Sequence, residues 1–221
     1  MSLEKKASYI LIDDYLKLEA SSPSRHEYVD GQMFAMAGAT RRHNIIVGNF
    51  FALLHESLRN RPCRPYVEAV KVFIKQVKAF YYPDVMVACE DLGAEGDVIE
   101  APVLIAEVLS PSTAAIDRRE KLTNYRYLES LKEYLIVHQR EMIVEVHRKN
   151  ESGCWSTALF RSGESFELQS LSRGTVTVPV SALYVDAGVT DSKVHESSAG
   201  YAFSDPDVYR FTEQELVDLD Y

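Results

Sequence analysis

Three segments in the middle of the chain are apolar at almost every position. They span residues 64–74, 80–89 and 102–110, and such continuous runs are typical of strands that are buried on both faces. Residues 40–60 instead place apolar side chains three and four positions apart, which predicts an amphipathic helix. The pattern therefore predicts a helix followed by three buried strands.

Turn and capping residues organise the segments on either side. A loose helical pattern covers residues 8–20, and Asp30-Gly31 between two β-prone runs predicts a hairpin. Asp117 and Glu120 resemble a capping box, which predicts a helix that runs to about Glu129. Strand patterns follow over residues 133–139, over 142–149 and around Trp155 and Phe160, and residues 163–185 are β-like and rich in turns.

The order of these elements defines the predicted fold class, α/β. A helix, three strands, a helix and a strand (αβββαβ) suit a mixed central sheet flanked by helices, with an extra N-terminal hairpin and extra C-terminal strands. We predict one domain over residues 1–185 and an acidic C-terminal extension over residues 186–221.

Composition bears on membrane association, secretion and the redox state of the cysteines. The chain has 221 residues, 46% of them hydrophobic, and no apolar run approaches the roughly 18 residues of a membrane helix. The N-terminus lacks the apolar segment of a signal peptide. Three scattered cysteines, Cys63, Cys89 and Cys154, argue against a disulfide scaffold or a zinc site. These features predict a reduced, soluble, cytoplasmic protein with no membrane partner.

Negative charge is concentrated at the C-terminal end. The formal net charge is -9, and residues 186–221 alone contain nine acidic and two basic side chains. Residues 59–78 carry six basic side chains against one acidic one, so a locally basic surface is compatible with the sequence. Three interpretations of the extension stay open: a solvated tail, a phosphate mimic over a DNA-binding surface, or part of a dimer interface.

Two carboxylates interrupt the apolar strands. Asp84 and Glu107 lie on consecutive predicted strands, so they can be neighbours, and two like charges in a poorly solvated place repel each other. A divalent cation such as Mg²⁺, which prefers oxygen ligands, relieves this repulsion. Lys121 and Tyr125 share one face of the next helix, which can bring an ammonium group to the same place. The structural alternative for Asp84, which follows Pro83 at a strand edge, is an ordinary contact with an arginine or a backbone amide.

The same residues carry a resemblance to a known family. The segments "YPDVMVAC" and "APVLIAEVLSPSTAAIDRREKLTNYRYLESLKEYLIVH" resemble a family of bacterial restriction-endonuclease-like proteins, a domain of unknown function within the PD-(D/E)XK nuclease superfamily. The hairpin segment "HEYVDGQMFAMAG" also matches, and so does His43 at the start of the long helix. The resemblance covers residues 20–185 and implies a restriction-endonuclease-like sheet.

The resemblance also implies a metal site. In the superfamily, the residues that match Asp84 and Glu107 bind Mg²⁺ or Mn²⁺, often with the backbone carbonyl of the next residue, here Val108. The superfamily's lysine usually stands two residues after the glutamate, where this chain has Leu109. The matching lysine of this family is Lys121, on the following helix.

Other polar residues near these motifs have two interpretations each. Glu27 on the hairpin is a further acidic ligand or water-positioning residue, or a surface strand residue. His43 reaches the scissile phosphate or the metal-bound waters, or it caps and packs its helix. Tyr125 is interpreted as a core residue. Arg41 and Arg42 contact backbone phosphates or are simply solvated.

The function that the resemblance implies is a metal-dependent endonuclease that hydrolyses DNA. The implied catalytic set is Asp84, Glu107, Lys121, Glu27 and His43. The alternative is a catalytically inactive nuclease-fold module that binds nucleic acid or protein, which the leucine two residues after the glutamate and the acidity of the chain favour. A homodimer is expected by analogy with superfamily members that cut both strands.

Overall fold

The computed structural model describes residues 9–36, 38–90, 93, 95–110, 117–171 and 174–190, and the structural statements below concern these ranges. The strands are β1 (His26–Val29), β2 (Gln32–Ala35), β3 (Arg64–Val67), β4 (Lys71–Ile74), β5 (Ala79–Tyr81), β6 (Val85–Ala88), β7 (Val98–Ile99), β8 (Pro102–Leu109), β9 (Glu133–His138), β10 (Ile143–Lys149), β11 (Trp155–Arg161), β12 (Ser165–Leu168) and β13 (Val176–Pro179). The helices are α1 (Ile12–Ser21), α2 (Arg41–Ser57), α3 (Leu122–Tyr125) and α4 (Val180–Leu183), with a 3₁₀ turn at Lys75–Val77 and a π-helical turn at Asp117–Lys121.

Two mixed β-sheets form the centre of the fold. The five-stranded sheet has the order β2-β1-β5-β4-β7, the six-stranded sheet has the order β11-β10-β9-β8-β6-β3, and β12 and β13 form a separate hairpin. The pairs β8/β9 and β4/β7 are parallel, and the other neighbouring strands are antiparallel. The predicted α/β class, with a mixed sheet, an N-terminal hairpin and C-terminal strands, is confirmed.

Three apolar clusters hold these layers together. On the outer face of the five-stranded sheet, Tyr15 of α1 packs against Tyr28 and Phe80. Between the two sheets, residues such as Tyr81 of one sheet and Ile105 of the other form a second cluster. The other face of the six-stranded sheet is covered by α2, α4 and the β12–β13 hairpin in the largest cluster. Burial of these apolar faces is the main force that stacks the layers.

Two segments that we predicted as single strands are each divided between the two sheets. Residues 64–74 form β3 and β4, residues 80–89 form β5 and β6, and in both cases the two strands belong to different sheets. Glu68 adopts a positive φ of 47° between β3 and β4. Pro83, which cannot donate to a ladder, lies between β5 and β6. The prediction of continuous strands is wrong because two stacked sheets bury both faces of each short strand and produce the same apolar run.

The second predicted helix is shorter than its sequence pattern indicates. The π-helical turn at Asp117–Lys121 leads into α3, which ends at Tyr125 rather than near Glu129. Turns continue from there, with the Leu128 amide donating to the Tyr125 carbonyl at 3.0 Å and the Leu131 amide to the Leu128 carbonyl at 3.1 Å. Both leucines pack into the cluster between the sheets, so the apolar spacing persists after the helix has ended.

Cys63 and Cys89 form a disulfide, and Cys154 is free and exposed. The prediction of fully reduced cysteines is therefore wrong for this pair. The antiparallel register that pairs Arg64 with Ala88 continues outward by one residue to the two cysteines. They are 26 positions apart in the chain, so only the strand pairing reveals their proximity.

The C-terminal part of the described chain still belongs to the core. Ala187 and Val189 are buried in the cluster that α2 forms on the six-stranded sheet. Residues 191–221 lie outside the described ranges, so the acidic extension over residues 186–221 stays a prediction. Among the described residues, no helix is long and apolar enough to cross a membrane.

Candidate active site

Asp84 and Glu107 face each other across neighbouring strands. The antiparallel register of β6 and β8 pairs Val85 with Ala106, and one further step brings Asp84 opposite Glu107. The Asp84 amide donates to Glu107 Oε2 at 3.3 Å, and the Val108 amide donates to Asp84 Oδ2 at 2.7 Å. The two carboxylates predicted to be neighbours are thus each bonded by a backbone amide of the opposite segment.

A lysine and a tyrosine from the following helix reach the same glutamate. Lys121 Nζ lies 3.2 Å from Glu107 Oε1, and the Tyr125 hydroxyl donates to the same oxygen at 2.7 Å. Glu107 and Lys121 are 3% and 5% exposed, and Tyr125 is fully buried. A buried carboxylate is costly unless a cation and hydrogen bonds compensate it, and these two side chains supply both.

Glu27, on β1, is the side chain that the five-stranded sheet contributes to this site. Its Oε1 lies 2.8 Å from Lys121 Nζ, an ion pair whose angles fall outside those of a hydrogen bond, and the same oxygen is buried without a hydrogen-bond partner. One ammonium group is therefore shared by a carboxylate from each sheet, Glu27 and Glu107. Glu27 is not an ordinary surface strand residue.

His43 caps its helix locally and also contacts Asp84. The Thr40 hydroxyl accepts the His43 amide at 3.1 Å, which satisfies one of the free amides at the start of α2. The imidazole is 7% exposed, and its Nε2 lies 3.0 Å from Asp84 Oδ2. Because the partner is a carboxylate, Nε2 is the nitrogen that carries the proton.

The two arginines at the start of α2 differ in their surroundings. Arg41 is exposed, whereas Arg42 Nε donates to the Ala187 carbonyl at 3.1 Å. Arg42 is thus engaged in holding the C-terminal part of the core. A phosphate contact by either residue stays a prediction.

Two tyrosine hydroxyls around Lys121 act as donors. Burial, with the Glu107 carboxylate as the next cause, raises the pKa of the Tyr125 phenol well above its usual range. Burial also raises the pKa of Tyr81, whose hydroxyl donates to Glu120 Oε1 at 2.8 Å and accepts from Asn124 Nδ2 at 2.7 Å. The hydrogen bond from Tyr125 to Glu107 is a feature that the sequence interpretation of Tyr125 as a core residue missed. Its position four residues after Lys121 was the available signal.

The carboxylates fit a hard divalent cation. Mg²⁺ is usually bound by one or two carboxylates together with waters and substrate phosphates, and Asp84 and Glu107 supply the carboxylates. The Val108 amide points to Asp84, and the carbonyl of a strand residue points to the same side of the strand as its amide, so this carbonyl also faces the Asp84 side. Within the described residues, no three His, Cys, Asp or Glu side chains converge as a ready-made metal cage. The site thus offers a pair of oxygen ligands rather than a closed cage.

The mixed sheets flanked by helices form a restriction-endonuclease-like α/β fold. The model of the family described as "Uma2: Putative restriction endonuclease" matches residues 12–181. The chain belongs to this family.

Two relatives and one solved structure are similar to this chain. "Uncharacterized protein slr1290" of Synechocystis sp. (strain ATCC 27184 / PCC 6803 / Kazusa) is 31% identical over 160 residues, which cover 72% of this chain and 84% of the relative. "Uncharacterized protein sll1609" of the same strain is 32% identical over 145 residues, which cover 64% of this chain and 82% of the relative. The crystal structure of "a putative nuclease belonging to DUF820" from Anabaena variabilis ATCC 29413 matches with a TM-score of 0.66 and 17% identity, over 80% of this chain and 99% of that one. At that identity, the structural likeness establishes the fold.

Proposed function

We propose that this protein is a divalent-metal-dependent endonuclease that hydrolyses phosphodiester bonds in DNA. The observation that carries the proposal is a surplus of carboxylates near a single lysine: Glu27 and Glu107 share Lys121, and Asp84 stands opposite Glu107 on the neighbouring strand. Such a surplus of buried negative charge favours a cation, and oxygen ligands favour Mg²⁺ or Mn²⁺. Membership of a restriction-endonuclease family supports the same chemistry.

The protein's own residues divide the work between holding the ion and stabilising charge. Asp84, Glu107 and the Val108 carbonyl would hold the ion, which supplies a Lewis acid that lowers the pKa of a bound water and neutralises phosphate charge. Lys121 stabilises negative charge on the attacking water or on the phosphate oxygens as that charge develops. Its location between both sheets lets it replace the lysine that the superfamily usually places at the position of Leu109.

Three further side chains position these groups. Tyr125 donates to Glu107, and His43 donates to Asp84, so each carboxylate is oriented by a buried donor. Glu27 orients the Lys121 ammonium group through an ion pair of 2.8 Å. Preorganised donors and acceptors of this kind contribute more than groups that must reorient during the reaction.

Plasmid cleavage tests the proposal. The purified full chain is incubated with supercoiled plasmid and Mg²⁺ or Mn²⁺, beside Asp84→Ala and Glu107→Ala. We expect cleavage that requires the metal and that falls by at least about 100-fold in either variant. Glu151→Ala, which removes an exposed carboxylate in the turn between β10 and β11, is the matched control and should cleave like the unmodified chain. Equal cleavage by Asp84→Ala contradicts the proposal.

A second function is favoured by one specific observation, the leucine at position 109. If Lys121 does not replace the usual lysine, the chain is a nuclease-fold module that binds nucleic acid or protein without cutting. Calorimetric titration with Mg²⁺ separates the two. Binding that disappears in Glu107→Ala supports the enzyme, and no binding by the unmodified chain supports the module.

We infer that the active form is a homodimer, because cutting both strands of a duplex at symmetric positions requires two sites. Sedimentation of the full chain at the concentration of the cleavage assay tests this. A monomer that linearises plasmid in one binding event contradicts the inference.

A further inference from the structure

Arg25 stands at the rim of the candidate active site. It lies two residues before Glu27, directly before the first residue of β1. Arg25 lies over the ring of Tyr82, which comes directly before Pro83 and Asp84 in the chain. Arg25 is thus adjacent in the fold to the two segments that carry Glu27 and Asp84.

The guanidinium group of Arg25 is fixed by the protein on one side. Its Nη1 donates to the Glu68 carbonyl at 3.1 Å, and its central carbon lies 5.8 Å from the centre of the Tyr82 ring. The Tyr82 ring is itself held in place, because its hydroxyl donates to Glu19 Oε1 at 2.8 Å. An arginine that stacks on an aromatic ring and donates to a backbone carbonyl keeps its planar fork in one orientation.

The other side of the same guanidinium group remains available. Arg25 is exposed, and among the described residues no carboxylate lies within ion-pair distance of it. A guanidinium has five N–H donors, and the Glu68 carbonyl is the one acceptor that the described protein offers them. Arg59 provides the contrast, because this exposed arginine pairs with Glu56 at 2.9 Å.

An oriented, exposed arginine without a carboxylate partner has the features that bidentate phosphate recognition requires. We propose that Arg25 binds a backbone phosphate of the nucleic-acid strand that enters the active site and so sets the register of that strand against Asp84 and Glu107. The inference rests on the proposed function and adds a phosphate-binding subsite on the hairpin side of the site. Arg25 is a positioning residue, since it contacts the substrate backbone away from the reacting atoms.

The test is the salt dependence of DNA binding. A fluorescently labelled 20-bp duplex of mixed sequence is titrated with the full chain in EDTA, so that no cleavage occurs, at several salt concentrations. Each neutralised phosphate adds about 0.9 to the slope of log affinity against log salt. We expect Arg25→Ala to weaken binding about tenfold or more and to lower that slope by about one, irrespective of the duplex sequence.

Matched variants separate this role from general charge and from folding. Arg59→Ala removes an equal charge at the far end of α2, roughly 24 Å from His43 at the helical rise per residue, and should leave affinity and slope unchanged. Arg25→Lys keeps the charge without the planar fork and should fall between the two. Arg25→Gln keeps a donor for the Glu68 carbonyl, so its melting temperature should match that of the unmodified chain while its slope matches that of Arg25→Ala.

The outcomes distinguish the subsite from the proposed function. An unchanged slope in Arg25→Ala, equal effects of Arg25→Ala and Arg59→Ala, or no DNA binding by the unmodified chain overturns the subsite. Binding with the expected slope change but no metal-dependent cleavage leaves the subsite in place and removes the nuclease function. Cleavage that depends on Asp84, together with normal DNA binding by Arg25→Ala, supports the nuclease function and overturns the subsite.

Discussion

Glu107 and Glu133 are two buried glutamates on adjacent strands, and they differ in how their negative charge is compensated. Glu133 is 1% exposed and begins β9. It accepts hydrogen bonds from Arg148 Nε at 2.8 Å, from the amides of Gln169 and Ser170 at 3.0 Å, and from the Ser170 hydroxyl at 2.6 Å. One arginine and several neutral donors balance one carboxylate completely.

Glu107 lies at a similar depth in a different electrostatic setting. It shares Lys121 with Glu27, and Asp84 stands opposite it. Negative charge exceeds positive charge there, whereas the Glu133 cluster is neutral. Burial of a carboxylate therefore does not by itself indicate function. Glu133 is buried and fully compensated, and its role is to hold β9 to the β12–β13 hairpin. The surplus of like charges is the feature on which the proposed metal site rests.

The largest expected effect comes from replacing each of the two buried glutamates, Glu107 and Glu133, by glutamine. Glu107→Gln should reduce metal-dependent plasmid cleavage by at least about 100-fold and lower the free energy of unfolding by less than Glu133→Gln does, because Lys121 keeps Glu27 as an ion-pair partner. Glu133→Gln should cleave normally when folded and lose about 3 kcal/mol of stability, because it breaks a buried ion pair. Urea denaturation and plasmid cleavage on both variants measure this. A stability loss in Glu107→Gln as large as that in Glu133→Gln would break the comparison.

A smaller effect is expected from moving the ammonium group within the Glu107 cluster. Lys121→Ala should lose about 100-fold or more in cleavage rate. Adding Leu109→Lys to it, at the position that the superfamily normally uses, should restore about tenfold, because charge stabilisation depends on where the ammonium lies rather than on which strand or helix carries it. Leu109→Lys alone is the control for damage to the core. No recovery in the double variant would mean that Lys121 acts through its contact with Glu27.

Metal ions should distinguish the two clusters in a thermal melt. A ligand that binds the folded chain at 100 times its dissociation constant stabilises it by about 2.7 kcal/mol. We expect Mg²⁺ to raise the melting temperature of the unmodified chain and of Glu133→Gln, and to leave that of Glu107→Gln unchanged. A rise of equal size in Glu107→Gln would place the metal elsewhere.

The smallest expected change concerns the donor that orients Glu107. Tyr125→Phe removes one hydrogen bond to a charged group, which should cost about 1.5–3 kcal/mol of stability and lower cleavage less than Lys121→Ala does. Denaturant melts and cleavage rates of the two single variants provide the comparison. Tyr184→Phe is the matched control, since the Tyr184 hydroxyl also bonds within the core, at 2.8 Å from the His138 carbonyl, but contacts no carboxylate of the site.

The sequence predicts the two central carboxylates because their signal is local. Asp84 and Glu107 each interrupt an apolar strand, and consecutive strands are commonly neighbours. Glu27 and His43 have no such signal, and only the family resemblance singled them out. The compensation of Glu133 was not visible either, since Ser170 lies 37 residues away and reaches it through tertiary packing. Long-range packing also explains why two short strands in stacked sheets imitated one long strand.

The chain crosses from one sheet to the other at Pro83, so the complete site forms only when both sheets are in place. Asp84 directly precedes β6, the first strand after that crossing, and Glu27 belongs to the sheet on the other side, so their common environment exists only when both sheets have docked. A folding intermediate with the six-stranded sheet alone would hold Asp84 and Glu107 without Glu27 to orient Lys121. The arrangement of all four side chains therefore depends on the docking of both sheets.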